Sequence, residues 1–256
     1  MYQEDNLLKF EKSYSEALRL FDEIQFKYLS LKCSSERAQK FIAHGFLRRL
    51  NLIKRTIENI CNLCPLDNEQ VLPDDILVDL AIQYQALIFN VSGCLDNLAW
   101  IWALERDVRC SRTGKALPRM KIKLFDKSSK DLNASLPLSI QNKLKDFAEW
   151  YKHLEDYRHS LAHRIPLYVP RYNIGNDEAL KQHADIEQKI SEIYSSGSSE
   201  GVDRLREKQE ALGEFIPVVT HSFYEKTRPV YFHAQAIANW RTVLDLAQAF
   251  LSELES

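Results

Sequence analysis

Apolar side chains recur at threes and fours from Leu7 to Leu31, with Phe10, Tyr14, Leu18, Phe21, Ile24 and Tyr28 between them. That spacing predicts an amphipathic helix with one face for the core. Ser34-Ser35-Glu36 offers a cap, and Phe41 to Leu63 reads as a second helix that stops before Pro65. After a loop through Pro73, Asp74 or Asp75 is placed to cap a third helix running to about Val108. Its apolar residues, among them Leu80, Tyr84, Leu87, Val91, Leu98 and Trp102, fall on more than one face, so it is expected to be the central, most buried helix. Ser139 to about Arg164 is helical again, with Leu144, Phe147, Tyr151, Leu154 and Leu161 on its apolar side. Pro166 ends it, because its ring would clash with the carbonyl of Ala162. A last helix is expected from His233 to about Leu254.

Between these helices the pattern changes. Ile165–Val169 and Phe215–His221 are short β-branched runs containing prolines, expected to pair as a small ribbon, and Val230–Phe232 reads as one more short strand. Asp177–Tyr194 and Val202–Leu212 read as a charged helical hairpin around the flexible turn Ser195-Ser-Gly-Ser-Ser199. The expected architecture is all-α: one domain over residues 1–256, an antiparallel helical bundle with extra N-terminal helices. A helical-hairpin insertion at about 170–214, flanked by short strands, completes it. Seven glycines and eight prolines suit long uninterrupted helices.

Composition narrows the function classes. Hydrophobic content of 45% is ample for a core, and 34 basic against 36 acidic residues leave no global field to attract nucleic acid. Any such binding must be local. No apolar run approaches the roughly 18 residues that span a bilayer, so a cytoplasmic protein without membrane contact is expected. The five cysteines form an odd, scattered set suited to a reducing compartment, and Cys61 and Cys64 lack the second ligand pair of a structural zinc site. The one strong local charge bias lies at 106–130, a basic loop in which Arg119, Lys121 and Lys123 are candidate substrate-binding residues. It reads equally as a track for a polyphosphate backbone or as a solvated connection, since only Phe125 supplies an aromatic ring. Asp96 and Asn97 interrupt the apolar surface of the central helix. Either they satisfy neighbouring polar groups, or they orient functional side chains on a facing helix.

Those functional side chains are sought in Tyr157-Arg158-His159-Ser160-Leu161-Ala162-His163-Arg164-Ile165-Pro166, at the end of the fourth long helix. A guanidinium holds phosphate and stabilises charge that builds in a transition state, while an imidazole moves protons near neutral pH. On an ideal helix residues five apart diverge by about 140° and lie about 7.5 Å apart along the axis. Arg158 and His163 therefore do not share a face unless the helix distorts, the arginine reaches around, or a second subunit supplies the partner. His159 and His163 do share a face, but no third ligand is apparent nearby for a metal, and no cofactor is expected.

The segment resembles the HEPN family of small all-helical domains, whose signature is R-x4-6-H with a polar residue commonly following the arginine. Arg158, His159 and His163 meet that spacing, within the family-like sequence Leu161-Ala162-His163-Arg164. The resemblance covers at most the central, motif and last helices. It implies a metal-independent endoribonuclease of toxin–antitoxin or phage-defence type, in which the RNA 2'-hydroxyl attacks the adjacent phosphorus. His163 would move protons, Arg158 would stabilise the phosphorane-like charge, and His159 would be an auxiliary contact. It also implies a homodimer with facing sites, and a cognate antitoxin or other defence-system protein as partner. Two readings stand beside it. One is a non-catalytic helical module binding RNA, nucleotide or a protein. The other is a structural interaction protein whose insertion hairpin carries the contacts. In either, His163 caps its own helix and Arg158 pairs with Glu155 or Asp156.

Overall fold

A computed structural model describes Tyr2, residues 4–222 and residues 227–255, and the chain is mostly helical. Helix α1, Glu4–Ser30, buries Ala17, Phe21, Ile24 and Tyr28, and the Tyr28 hydroxyl donates to the carbonyl of Ala247 at 2.9 Å. Ser35 caps α2, Glu36–Lys40, by accepting from the Ala38 N–H at 3.2 Å. The chain then runs without a break through a π-helical turn, Phe41–Phe46, into α3, Leu47–Leu63. The second helix thus starts five residues before its apolar run.

Helix α4, Asp74–Glu105, is the central element, with 15 of its 32 residues buried against α3, α7 and α10. The expected side-chain cap at Asp74 or Asp75 is not formed. Pro73 occupies the cap position, and both aspartates lie in the first turn, where their charge faces the positive end of the helix dipole. Among the described residues α4 is the one helix long and apolar enough to cross a membrane, and 67% of its most apolar window is packed inside the protein. Its C-terminal Glu105 accepts from the backbone N–H groups of Ser34 and Ser35 at 2.7 and 3.1 Å, tying it to the start of α2.

The basic stretch after α4 is an ordered excursion. Arg109 bridges to Ala116, a 3₁₀ turn spans Arg119–Lys121, and buried Leu117, Ile122 and Leu124 pin the segment to the core. A short α5, Lys130–Ser135, follows and carries no long periodic pattern that would have announced it. The single helix expected over 139–164 is two. Helix α6, Leu138–Asp146, packs on α10, and α7, Ala148–His163, packs on α4, with Phe147 (φ −95°, ψ 9°) as the joint. One straight rod cannot serve both partners, so the backbone breaks where the partner changes.

Helices α8, Asp177–Ser195, and α9, Val202–Glu210, form the expected hairpin. The ribbon differs from expectation. Residues 165–169 and 215–221 share one bridge, Tyr168 with Thr220, while β1, Val218–Val219, pairs antiparallel with β2, Val230–Tyr231. Helix α10, Phe232–Leu254, follows directly and supplies a second large block of core side chains after α4, including Trp240, Leu244 and Phe250.

Candidate functional site

Helix α7 presents two different faces at its C-terminal end. Arg158 points toward α4 and lines a narrow depression with Ser92, Asp96, Leu124, Tyr151 and Glu155. Burial raises the Asp96 carboxyl above the ordinary carboxylate range, and the charges of Arg158, Lys123, Arg49 and Arg119 act against that rise. One carboxylate is therefore set among four cations drawn from α3, the basic loop and α7. Tyr151 is pushed up to about 12, mainly by burial, with Glu155 adding to the shift and Arg158 opposing it. Phe125 lies flat on Tyr151, ring centroids 4.3 Å apart and planes 5° from parallel, and adopts φ 61° to do so. A non-glycine residue in that region costs backbone energy that the stacking and the surrounding packing must offset.

His163 lies on the other side of the same helix. It shares an exposed depression with Lys152, Glu155, Asp156, His159 and Arg164, and its ring lies 6.1 Å from that of His159. The two depressions have Glu155 in common but not Arg158 and His163. Within one chain, then, the divergence expected from helix geometry is present, and no local distortion removes it.

Among the described residues, neither ordinary structural use expected for the motif residues is seen, and no ion pair joins Arg158 to Glu155 or Asp156. No hydrogen bond from His163 to the last carbonyls of α7 occurs among the described residues. Asp156 pairs with Arg164 at 2.6 Å and with Nε2 of His221 at 3.1 Å, and not with Arg158. Burial raises the Asp156 carboxyl, but the hydrogen bonds from His221 and Arg164 outweigh it and hold the group below its usual range. The Tyr157 hydroxyl meets the carbonyls of Val219 and Arg228 at 3.1 and 3.2 Å, and the Ser160 hydroxyl bonds the carbonyl of Ile165. Together these contacts fasten the end of α7 to the strand segment and leave Arg158, His159 and His163 outside the fastening.

The remaining sequence candidates separate in the same way. Arg119 and Lys123 come close enough to Asp96 to act on its ionisation, whereas Lys121 acts on Asp126. Asn97 turns away from α7 toward the π-helical turn. A Cβ on Gly45 would lie 2.8 Å from its amide nitrogen, and its Oδ1 is buried without a hydrogen-bond partner. Two further residues belong to this region and gave no sequence signal. His221, 1% exposed, was hidden in an apolar run, and Arg49 is one arginine among several on a helix. Arg49 reaches Asn90 at 3.3 Å across α4. Among the described residues, no three His, Cys, Asp or Glu side chains converge as a metal site.

The fold and the site define a mostly helical protein with a narrow polar depression beside its central helix, holding Arg158, Asp96 and Glu155, and an exposed histidine pair one helix face away. Compared with family models, with curated proteins and with solved structures, the chain gives no match.

Proposed function

We propose that the protein is a metal-independent endoribonuclease of the HEPN type, built on a HEPN-like helical bundle and acting as a homodimer. The observation that carries this reading is the placement of Arg158-x4-His163 at the C-terminal end of α7, with Arg158 turned into a depression beside Asp96, whose carboxyl also feels Arg119 and Lys123. The reaction breaks the P–O5' bond. The RNA 2'-hydroxyl attacks the adjacent phosphorus and releases its proton to water, Arg158 balances the charge that grows on the phosphoryl oxygens, and His163 gives a proton to the departing 5'-oxygen. The products are a 2',3'-cyclic phosphate and a 5'-hydroxyl.

A second copy brings the two halves of the site together, since Arg158 and His163 of one chain open on different sides. The surface supports such a copy. On α4, Val78, Ile82 and Phe89 are 58%, 54% and 45% exposed and follow one another along one face, and Ile165, just past the motif, is 40% exposed. An apolar stripe of this length beside a polar site is the usual composition of a protein–protein interface core. The setting that fits is cytoplasmic, with a cognate antitoxin or other defence protein restraining the enzyme.

The test is cleavage of RNA by the purified protein in the presence of a chelator. Wild type is expected to yield 2',3'-cyclic phosphate ends, and Arg158→Ala or His163→Ala to lose at least ~100-fold in rate, the scale of one acid–base or charge-stabilising group. Binding of RNA without cleavage by wild type would favour the non-catalytic module instead. The divergence of Arg158 and His163 within one chain is what keeps that second reading in play.

A further inference from the structure

We propose that a single strand of RNA is held along α4 from Arg158 past Arg49 to Trp100, so that a basic and aromatic track outside the R-x4-H motif positions the strand for cleavage. This rests on the ribonuclease reading and adds the form of its substrate.

The outward face of α4 is shared between two walls. Ser92 and Asp96 face α7 and the basic loop, while Gly93 and Asn97 face the π-helical turn and α3. Gly93 is a notch. A Cβ there would lie 2.4 to 2.5 Å from the Arg49 guanidinium, so the arginine lies across bare backbone and its far end is fixed on Asn90. One turn beyond Asp96, Trp100 stacks on Phe41 with centroids 5.3 Å apart and planes 17° from parallel, and the Arg37 guanidinium lies 5.1 Å from the indole centre. Arg158 thus lines the depression beside Asp96, Arg49 lies over Gly93 on the same helix, Lys123 and Arg119 are near enough to act on the Asp96 carboxyl, and Trp100 with Arg37 follows one turn on. That excess of positive charge sits in a protein whose overall charge is −2.

The alternation of cations and a stacking surface is what a sugar–phosphate backbone with unpaired bases requires. Phosphates meet the cations in sequence, and a base finds a ring or a guanidinium plane to stack on. The length argues for one strand. From Asn90 to Trp100 the helix rises about 15 Å, whereas domains that read duplex RNA contact a footprint of about 16 base pairs. The apolar residues Val78, Ile82 and Phe89 take over the same face of α4 toward its N-terminus, so the track ends where the proposed subunit contact begins.

The experiment uses the full chain carrying His163→Ala, whose cleavage is expected to be slow on the timescale of binding, and measures binding of a fluorescent single-stranded RNA and of the same sequence as duplex across a salt series. Tighter binding of the single strand is expected. Arg49→Glu and Trp100→Ala should each weaken it by at least tenfold, and Arg49→Glu should flatten the salt dependence by at least one phosphate contact, a slope change of about 0.7 for a single strand. Arg37→Ala, at an exposed position, gives a second reading of the stacking end should Trp100→Ala fail to fold. If the His163→Ala protein binds no RNA at all, the ribonuclease reading itself falls. If it binds RNA but none of these variants changes affinity, or if duplex binds as tightly as single strand, the track is overturned while the ribonuclease reading stands.

Discussion

At the scale of single residues, the histidines divide by surroundings. His163 is exposed and has no hydrogen bond in its own chain among the described residues, which suits a group that must exchange protons, so His163→Ala should leave stability within about 0.5 kcal/mol of wild type. Chemical denaturation of the variant checks this, and a larger loss would mean that the side chain serves the fold. His233 is the opposite case. It is 1% exposed, its Nε2 donates to the Cys64 carbonyl at 2.7 Å, and its Nδ1 meets the Tyr2 hydroxyl at 3.3 Å. Burial pushes it down from 6.5 to about 4. The unfolded chain therefore binds a proton at higher pH than the folded one, and stability falls as pH drops from about 6.5 to about 4. The full span is worth about 3 kcal/mol. Urea unfolding at pH 7 and pH 4 should show a smaller acid loss for His233→Gln than for wild type, the difference isolating this group from the carboxylates that titrate in the same range.

At the scale of elements, α7 is held at its end by Asp156, Tyr157 and Ser160 while the residues between and beside them stay available. Asp156→Asn removes a charge that pairs with both Arg164 and His221. That pair is partly exposed to solvent, so the expected cost is about 1 kcal/mol. The larger effect should be on activity, through loss of a fixed position for the end of α7, and comparing unfolding midpoints with cleavage rates separates the two. Arg171, which pairs with Asp74 of α4 and Glu210 of α9, ties the α8–α9 hairpin to the body, and the Asn173–Glu214 bridge closes the hairpin's neck. Replacing residues 177–210 by a short Gly–Ser linker should preserve the helical core. Circular dichroism would then lose only the hairpin's share of the helical signal, and a broad, non-cooperative melt would show that the hairpin belongs to the core after all.

At the scale of the whole molecule, the proposed enzyme depends on a second copy. Phe89→Glu and Ile82→Glu place charge on the exposed face of α4 without touching the core. Each should shift a sedimenting dimer toward monomer and reduce cleavage in proportion, while binding of single-stranded RNA, which uses the other half of the same helix, survives. A wild-type protein that sediments as monomer at every concentration and still cleaves RNA would remove the shared-site geometry from the reading.

Long periodic segments are where the sequence alone was sufficient. The placement of α1, α4 and α10 follows from apolar spacing, because burial of one face is a local demand that each segment states for itself, and the hairpin follows from its charged segments and the Ser–Gly turn between them. The divergence of Arg158 and His163 was likewise readable, being fixed by helix geometry. What the sequence did not contain were the choices made between segments. The break at Phe147 arises because α6 and α7 pack on different helices, and the π-helical turn lets Gly45 accept Asn97. The gathering of Arg49, Arg119, Lys123 and Arg158 around Asp96 draws on residues up to 109 positions apart, from Arg49 to Arg158. No local pattern encodes such a meeting. Only the packing of α3, α7 and the basic loop on one central helix turns scattered charges, indistinguishable in sequence from a solvated surface, into a cleft with a direction.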